Sequence, residues 1–454
     1  MRRRDQFARP LPFAVLLCIV GFAASLSGCG GGSGGTPPAP FLPPPPAKKG
    51  NHFTHVVILV QENRTFDNLF ATFPGGDGTT VGKTHNGTYR LRESNLPAPV
   101  SPNNGYAYWI RDYHHGLMNG FDLVPIGKVP GTYVYQYVFP SQVRPYWDLA
   151  RQYVLSDRTF QTEGSGSFTA HQDLIRGGTE LNASLHLIDF PTQAPWGCDA
   201  PPGTTTSLIT ANNQWTQYKD QGPFPCLTYR TLRDLLDAKQ LSWRYYAPTV
   251  GQSVGGNFWN AFDAIKAVRH GPEWSTNQAS PETKVLTDIR RDTLPAVSWV
   301  IPDFENSDHP GNHSDTGPSW VAQVVNAIGE SPAWKTTAIV IVWDDWGGWY
   351  DHVAPPGNHR YGGLGFRVPM IVVAPYAKSG YVSHNQYELG SIVRFVEDNW
   401  DLPQLGTTDV RAADFVDDFF DFTQQPRKFV PIAGKYSRSY FLHQPPSNRP
   451  VDDE

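Results

Sequence analysis

The stretch that decides the fold reads Ala338-Ile339-Val340-Ile341-Val342-Trp343-Asp344-Asp345, an apolar run that ends in two adjacent acids. Continuous rather than alternating hydrophobicity predicts a strand that is buried on both faces, as in a parallel sheet. Three other runs share this character, at residues 55–60, 297–301 and 368–373. Helical patterns lie between and after these runs, at residues 231–239, 320–328 and 387–400. This alternation of strand and helix predicts an α/β sandwich with a mostly parallel central sheet.

The composition of the 454-residue chain is that of a globular protein. Hydrophobic residues make up 39% of the chain, which is enough apolar surface for an extensive core. The 37 basic and 42 acidic side chains leave a net charge of −5. This balance argues against nucleic acid as a partner, because phosphate binding needs a basic surface. No stretch reaches the roughly 18 apolar residues of a membrane-spanning helix.

The first 28 residues have the features of a bacterial export signal. Four arginines within the first nine residues precede a 12-residue apolar run at 13–24, the length of a signal-peptide core. Leu26-Ser27-Gly28-Cys29 then resembles a lipobox, whose cysteine carries a lipid and becomes the mature N-terminus. We therefore expect an exported lipoprotein, periplasmic, outer-membrane or secreted, that attaches to the membrane through Cys29. An ordinary signal peptide with an incidental cysteine is the alternative.

A linker rich in Gly, Ser and Pro, residues 29–50, follows this signal and leaves 51–454 as the globular domain. Two cysteines remain in that domain, Cys198 and Cys226. In an exported chain such a pair most simply forms one disulfide, and two free thiols are the alternative. The surrounding stretch, about 190–285, has weak periodicity, so we expect an insertion or a cap over the sheet.

Oxygen-bearing side chains directly follow two of the predicted strands. Glu62 and Asn63 come after the first strand, and Asp344 and Asp345 end the run quoted above. In open α/β sheets, ligands bind at the carboxyl ends of the strands. Adjacent buried carboxylates need a compensating charge, and oxygen donors favour Ca²⁺ or Mg²⁺, although carboxylates also bind Zn²⁺. The alternative is that these acids cap helices or pair with arginines such as Arg64.

One serine and two histidines are candidates for catalysis. Ser167 lies in a glycine-rich turn before a predicted helix, where a nucleophile would face backbone N–H donors, although most such turns are only turns. His309 lies in the loop after the strand at 297–301, and His270 lies in an Arg-His-Gly-Pro segment. A single histidine is more often structural than catalytic, so position alone assigns a role to neither.

Several segments, taken together, resemble the bacterial phosphoesterase family of secreted phospholipases C and a periplasmic acid phosphatase. They are Glu62-Asn63-Arg64-Thr65-Phe66-Asp67, Gly166-Ser167 with His171-Gln172, Asp308-His309-Pro310-Gly311, Trp343-Asp344-Asp345 through Gly347-Gly348 to Asp351-His352-Val353, and Arg367-Val368-Pro369. Their order and spacing fit the family across about 55–400.

This resemblance implies an alkaline-phosphatase-like α/β core and a metal-dependent phosphoric ester hydrolase, of phospholipase C or acid phosphatase type. It makes Ser167 the nucleophile, His309 the group that contacts the phosphate and protonates the leaving group, and His270 a second phosphate contact. The substrate would be a phosphoester, with a phospholipid as one candidate. The cofactor would be one divalent metal ion, Ca, Mg or Zn. Its implied ligands are Glu62, Asn63, Asp344, Asp345 and the hydroxyl of Ser167.

One position departs from the family pattern. The family usually has a histidine upstream of the segment that appears here as Gly116-Leu117-Met118-Asn119-Gly120-Phe121, and this chain has Asn104 in its place. His114 and His115 lie nearby but are out of register. The departure bears on the substrate more than on the reaction class.

Two other functions remain open. The first is a non-catalytic, metal-stabilised surface lipoprotein that binds lipid or glycan. The second is a sulfatase or a two-zinc phosphatase of the same superfold, in which His352 and His359 could bind a second metal. Five tryptophans could line a choline or lipid pocket through cation–π contacts, or could equally pack in the core. They are Trp215, Trp259, Trp274, Trp346 and Trp349.

Overall fold

The computed structural model describes Gly50 and residues 52–251, 254–255, 259–357, 360–445 and 447. All of them belong to one unit of the chain, Pro44–Glu454. The predicted signal peptide, the lipidation site at Cys29 and the linker before Gly50 lie outside the described residues, and so does His359. The expectations for those parts of the chain stay predictions.

An eight-stranded sheet forms the centre of the described body. Its strands are β1 (His55–Gln61), β2 (Val154–Ser156), β3 (Trp243–Tyr246), β4 (Gln278–Ala279), β5 (Val297–Val300), β6 (Thr337–Trp343), β7 (Met370–Val373) and β8 (Tyr381–Ser383). The order across the sheet is β4-β3-β5-β1-β6-β7-β2-β8. Neighbouring strands are parallel except at β7, which is antiparallel to both β6 and β2. The four predicted strands and the mostly parallel sheet are confirmed.

The direction of β7 has a consequence for the site. Its apolar sequence resembles that of the parallel strands because both of its faces are buried, and hydrophobicity reports burial rather than direction. Since β7 runs the other way, its first residue, Met370, pairs with Val342 near the end of β6. Residues just before β7, such as Arg367, therefore lie at the same sheet edge as the residues that follow β1 and β6.

Helices form the two outer layers of an α/β/α sandwich. On one side α4, α5 and α10 pack together, and on the other α9 packs against α3, α8 and α12. The three predicted helices are confirmed as α5, α9 and α10, and α9 has Pro318 in its first turn, as sequence preferences favour. The helices are α1 (Phe66–Phe70), α2 (Tyr106–Tyr113), α3 (Arg144–Gln152), α4 (Ser167–Arg176), α5 (Leu232–Ala238), α6 (Lys266–Arg269), α7 (Glu273–Thr276), α8 (Lys284–Arg290), α9 (Gly317–Gly329), α10 (Leu389–Asn399), α11 (Val416–Phe419) and α12 (Arg438–His443).

The predicted insertion over about 190–285 is too wide. Two strands from this range, β3 and β4, form one edge of the central sheet. Neither strand makes an apolar run, because β3 reads Trp-Arg-Tyr-Tyr and β4 has two residues. The described residues of this range that lie outside the central sheet include strand Ser207–Thr210, before β3, and helices α6 and α7, between β3 and β4.

Outside the central sheet, short strands form small separate sheets. Their pairs and one triplet are Val81–Thr84 with Gly87–Arg90, Arg92–Ser94 with Gln136–Val138, Thr159–Phe160 with Tyr387–Glu388, Val250–Gly251 with Val254–Gly255, and Glu180–Asn182 with Leu185–Ile188 and Ser207–Thr210.

Cys198 and Cys226 form the predicted disulfide, which joins two positions 28 residues apart in the sequence. Because a cross-link restricts the unfolded chain, we expect the Cys198→Ser/Cys226→Ser variant to lose roughly 2–4 kcal/mol of unfolding free energy, measured by urea unfolding. A reductant should destabilise the wild type by a similar amount and leave the variant unchanged. Equal stability of the two oxidised proteins would contradict this expectation.

Candidate active site

Four oxygen-bearing side chains meet where β1 and β6 end. The two strands are parallel neighbours, with Gln61 opposite Trp343, so the residues that follow them leave the sheet side by side. The backbone N–H of Asn63 donates to Oδ1 of Asp344 at 2.9 Å. The structure thus brings together the two pairs that the sequence places after strands. All four residues are buried: Glu62, Asn63, Asp344 and Asp345.

Ser167 contacts this group from the opposite side. It is the first residue of α4, it is buried, and Gly166 before it provides no side-chain cap. Its hydroxyl donates to Oδ2 of Asp345 at 2.9 Å, and Oδ1 of Asn63 lies 3.4 Å away. The predicted nucleophile and two of the predicted metal ligands are therefore in direct contact.

His171 is a further member of the site to which sequence reasoning assigned no role. It lies one turn after Ser167 in α4, and its Nε2 is 3.0 Å from Oε1 of Glu62 and 3.7 Å from Oδ2 of Asp344. Burial lowers the pKa of the His171 imidazole to about 4, although Asp344 opposes the shift. The ring is therefore neutral near pH 7 and cannot balance the acids around it. The four-residue spacing from Ser167 is the sequence signal that could have identified it.

The chemistry of this group fits a divalent cation. Oδ2 of Asp344 is buried and accepts no hydrogen bond from the described residues. Glu62, His171 and Asp344 each direct one ligand atom to a common point, with these atoms within 4.8 Å of one another. A buried carboxylate beside a neutral imidazole is costly unless a positive charge is present, and oxygen-rich sets of this kind bind Ca²⁺, Mg²⁺ or Zn²⁺.

Asp345 is held on several sides, and one of its partners is Asn104. The side-chain amide of Asn104 donates to Oδ1 of Asp345 at 3.1 Å, and the backbone N–H of Gly347 donates to the same oxygen at 2.6 Å. Gly347 has φ +59°, and a Cβ there would collide with the carbonyl oxygen of Asn63. Asn104, which the family resemblance predicts in place of a histidine, therefore lies inside the site and presents a neutral amide to Asp345.

His309 lies in a loop that is tied to the end of β1. The backbone N–H of the preceding residue, Asp308, donates to Oε1 of Gln61 at 2.9 Å. The His309 ring is buried between aromatic rings, 5.6 Å from Trp259 and 5.5 Å from Phe304. The loop is therefore fixed to the residue that immediately precedes Glu62.

His270 lies outside this group. It is exposed directly after α6, and its Nε2 is 4.0 Å from Sγ of Cys226 in the disulfide. Among the described residues its side chain contacts the disulfide and not Ser167. This position gives no support to the predicted second phosphate contact. The Arg-His-Gly-Pro context does not distinguish a histidine beside a disulfide from one that contacts a phosphate.

Residues 53–403 match a family model described as the Phosphoesterase family. The chain belongs to the Phosphoesterase family. It is 26% identical over 426 residues to a non-hemolytic phospholipase C of Pseudomonas aeruginosa, covering 79% of this chain and 55% of that protein. It is 24% identical to phospholipase C B of Mycobacterium tuberculosis, covering 83% of this chain and 79% of that protein. The chain thus spans about half the length of the Pseudomonas relative.

The similarity extends beyond bacteria and to solved structures. Non-specific phospholipase C6 of Arabidopsis thaliana is 23% identical, covering 83% of this chain and 74% of that protein. A protein in the alkaline phosphatase superfamily from Vibrio parahaemolyticus aligns over 81% of this chain and 71% of its own, with 9% identity and a TM-score of 0.37. All the site residues named above lie within the matched range 53–403.

The alternative that Arg64 neutralises the acids does not hold. The buried Arg64 guanidinium donates to the backbone oxygens of Asp308 and Leu96 at 2.8 Å and 2.7 Å, and to Oδ1 of Asn68 at 3.0 Å. Its hydrogen bonds therefore go to the loop that carries His309 and to α1, and not to the four residues at the strand ends.

The remaining family segments meet in a second buried cluster of charged residues. Arg367 pairs with Oδ1 of Asp351 at 2.8 Å and with Oδ1 of Asp67 at 3.3 Å, and all three residues are buried. Nδ1 of His352 lies 2.7 Å from Oδ2 of Asp67. The Arg367 guanidinium balances one of these two carboxylates, and although burial opposes the shift, the hydrogen bond to Asp67 raises the pKa of His352. The cluster thus joins three segments of the chain as an ion-pair network, which disfavours a second metal site there.

The Arg367→Met variant is expected to lose roughly 3–5 kcal/mol of unfolding free energy, because Asp67 and Asp351 would remain buried without their partner. Urea unfolding monitored by tryptophan fluorescence measures the loss. Arg151→Met is the matched control, since Arg151 pairs with Asp148 at the surface, and its cost should be about 1 kcal/mol or less. Similar losses in the two variants would contradict a structural role for the buried cluster.

Proposed function

We propose that this chain is a metal-dependent phosphoric ester hydrolase that uses Ser167 as its nucleophile. The observation that carries the proposal is the position of the Ser167 hydroxyl, at the start of α4 and hydrogen-bonded to Asp345 among the other strand-end acids. The relatives named phospholipase C favour a phospholipid diester as substrate, and a phosphate monoester is the second candidate.

The reaction takes place in two displacements. The Ser167 oxygen forms a bond to phosphorus while the bond from phosphorus to the leaving alcohol breaks, and the hydroxyl proton passes to its hydrogen-bond acceptor, Asp345. Water then attacks the phosphoserine and gives a proton to His309, the bond between phosphorus and Ser167 breaks, and Asp345 returns its proton to the serine oxygen. With a phospholipid the leaving alcohol is diacylglycerol, and the released product is the phosphorylated headgroup.

The start of α4 supplies donors for the phosphate oxygens. The first N–H groups of a helix have no partners within the helix, and the aligned peptide dipoles place positive potential there. Because Gly166 offers no side-chain cap, these groups face the space next to the Ser167 hydroxyl. They are aligned before the reaction and so stabilise the charge that develops on phosphorus-bound oxygens.

The metal would be held by oxygen atoms of the strand ends and of the nucleophile. When bound, it would supply positive charge that lowers the pKa of the serine hydroxyl and neutralises phosphate oxygens. Because the His171 ring is neutral near pH 7, it does not act as a cation. We propose that it orients Glu62 through the contact of its Nε2 with Oε1 of Glu62 at 3.0 Å. The proposed ligands are Glu62, Asn63, Asp344, Asp345 and Ser167.

We assign protonation of the leaving group to His309. Its loop is fixed to the end of β1 through Gln61, and a buried ring on such a loop keeps its orientation. The alcohol product needs one proton as its bond to phosphorus breaks, and an imidazolium is the side chain suited to deliver it near neutral pH. Replacing His309 with glutamine should therefore harm substrates with poor leaving groups more than p-nitrophenyl esters.

We further propose that the chain is exported and attached to a membrane through a lipid on Cys29. Within the described part of the chain, no helix has the length and apolar character needed to span a membrane.

The assay that tests the proposed function compares wild type and Ser167→Ala on p-nitrophenyl phosphate and p-nitrophenyl phosphorylcholine, with and without a chelator. Diester hydrolysis that is lost in the variant and with the chelator would support a phospholipase C-type enzyme. Turnover of the monoester alone would move the assignment to a phosphatase. The absence of turnover dependent on Ser167 in a folded, metal-supplied sample would overturn the proposal in favour of a binding protein.

A further inference from the structure

A cleft of about 380 Å³ opens beside the candidate active site. It lies between the start of α2 and the loops around strand Ser207–Thr210, and Asn104 forms part of its wall. Asn104 also donates to Asp345, which accepts from the Ser167 hydroxyl. Two hydrogen bonds therefore connect the wall of the cleft to the nucleophile, which makes the cleft a candidate site for a group attached to a phosphate at Ser167.

Asp189 fixes the geometry of this cleft. Its backbone N–H donates to the hydroxyl of Ser165 at 2.8 Å, in the turn that carries Ser167. Its carboxylate accepts from the backbone N–H of Tyr106 at the start of α2 and from the Trp215 indole at 3.2 Å. Asp189 has φ +59°, a conformation that costs energy in a non-glycine residue and persists where several partners enforce it. One residue thus joins the nucleophile turn to two walls of the cleft.

Groups of both charges and several neutral polar groups line the cleft. Burial raises the pKa of the Asp189 carboxyl to about 6, and the hydrogen bonds from Tyr106 and Trp215 and the charge of Lys219 oppose the rise. The charge of Lys219 thus opposes the rise in the pKa of the same carboxyl that accepts a hydrogen bond from Trp215. Asn103, Tyr108, Phe190 and Asp220 also line the cleft.

This set of groups selects against a quaternary ammonium. Such a cation is attracted to carboxylates and aromatic faces, but it can neither donate nor accept a hydrogen bond, and the ammonium of Lys219 at the cleft would repel it. Hydroxyl groups, in contrast, both donate and accept, so they can use carboxylates, amides and an ammonium together, while carbon-bound hydrogens of a polyol pack on aromatic rings.

We propose that this cleft binds an uncharged, polyhydroxylated group, such as inositol, glycerol or a sugar, that is linked to the scissile phosphate. This assignment rests on the proposed function, because the cleft is placed relative to Ser167. It also gives the disulfide a role, since Trp215, Lys219 and Asp220 all lie in the loop that Cys198 and Cys226 close. The cleft wall would then be positioned in part by that cross-link.

The test measures kcat/KM of the full chain on phosphatidylinositol, phosphatidylglycerol and phosphatidylcholine in identical detergent micelles. We expect the two polyol lipids to exceed the choline lipid by roughly tenfold or more. The deacylated glycerophosphodiesters of the same headgroups show whether the preference belongs to the headgroup or needs the lipid. Choline turnover equal to or faster than polyol turnover would overturn the proposal.

Three variants sharpen this result. Trp215→Ala should reduce the ratio of polyol to choline turnover towards one, and Lys219→Met should raise choline turnover relative to polyol turnover by roughly fivefold, since an exposed charge is removed. Trp274→Ala is the matched control, because Trp274 stacks on Arg269 and does not line the cleft, and its ratio should equal that of wild type. Lys219 is exposed, so its variant tests the proposal even if Trp215→Ala does not fold.

The failure of this inference can be told apart from the failure of the proposed function. If Ser167→Ala abolishes turnover and the headgroup ratio is near one in wild type, only the polyol assignment fails. If turnover does not depend on Ser167, both fail. An unchanged ratio in Trp215→Ala and Lys219→Met would likewise overturn the assignment of this cleft while leaving the nucleophile in place.

Discussion

The Ser167→Ala variant is expected to lose roughly 10⁴-fold or more in kcat on any phosphoester that the wild type hydrolyses. The hydroxyl forms the bond to phosphorus, and no neighbouring group can replace it, since the adjacent side chains of Asn63 and Asp345 are oriented as its hydrogen-bond partners. The methyl group fits the same buried space, so the fold should persist. Steady-state kinetics, with circular dichroism and thermal unfolding as checks on folding, measure the effect.

The matched control is Thr169→Val, two residues further along α4. Thr169 is also buried, but its hydroxyl donates to the backbone oxygen of Gly166 at 3.2 Å rather than to the acids. Removing the Thr169 hydroxyl should lower kcat by less than roughly tenfold and the unfolding free energy by about 1 kcal/mol. A comparable loss in both variants would point to damage to α4 and would remove the case for Ser167 as the nucleophile.

The fold was predictable where burial is two-sided and continuous. The strands β1, β5, β6 and β7 are such runs, and all four were identified from the sequence. The direction of β7 was not, because an antiparallel strand in the middle of a covered sheet has the same apolar pattern as its parallel neighbours. Strands β3 and β4, at one end of the sheet, were missed for the opposite reason, since β3 reads Trp-Arg-Tyr-Tyr and β4 has two residues, so neither forms an apolar run.

The strand-end part of the site was predictable from sheet geometry. Once β1 and β6 are recognised as strands of one sheet, the residues after them must meet at one edge, and they do. Ser167 and His309 were identified by the family resemblance, and only Ser167 is shown in contact with the strand-end residues. His171 was given no role because its one sequence signal, the four-residue spacing from Ser167, has meaning only once both residues are placed on the same helix.

Tryptophan content alone could not separate core from binding surface. Trp259, Trp346 and Trp349 are almost completely buried, so they belong to the core. Trp215 is half-buried, forms an edge-to-face contact with Tyr106 at 5.6 Å, and lines the cleft beside Asn104. The difference depends on which loop carries each residue, and that is decided by tertiary structure.

Wild type and the Asp344→Asn variant are expected to exchange their order of stability when a divalent cation binds. With a chelator it should be more stable than wild type by about 1–2 kcal/mol, because one buried charge beside Glu62 and Asp345 is removed. Its Oδ1 can still accept from the N–H of Asn63, as Asp344 does at 2.9 Å. With a divalent cation at about 100 times its Kd, the wild type should gain about 2.7 kcal/mol and the variant much less, so the order of their stabilities reverses.

Urea unfolding of both proteins with EDTA, Ca²⁺, Mg²⁺ and Zn²⁺ measures this reversal and identifies the metal independently of activity. Asp112→Asn is the matched control, because Asp112 is also a buried acid, at the far end of α2 from Asn104. Burial raises the pKa of its carboxyl well above the ordinary value, so its neutralisation should cost little and leave the metal response unchanged. If a cation stabilised Asp344→Asn as much as wild type, Asp344 would not be a ligand.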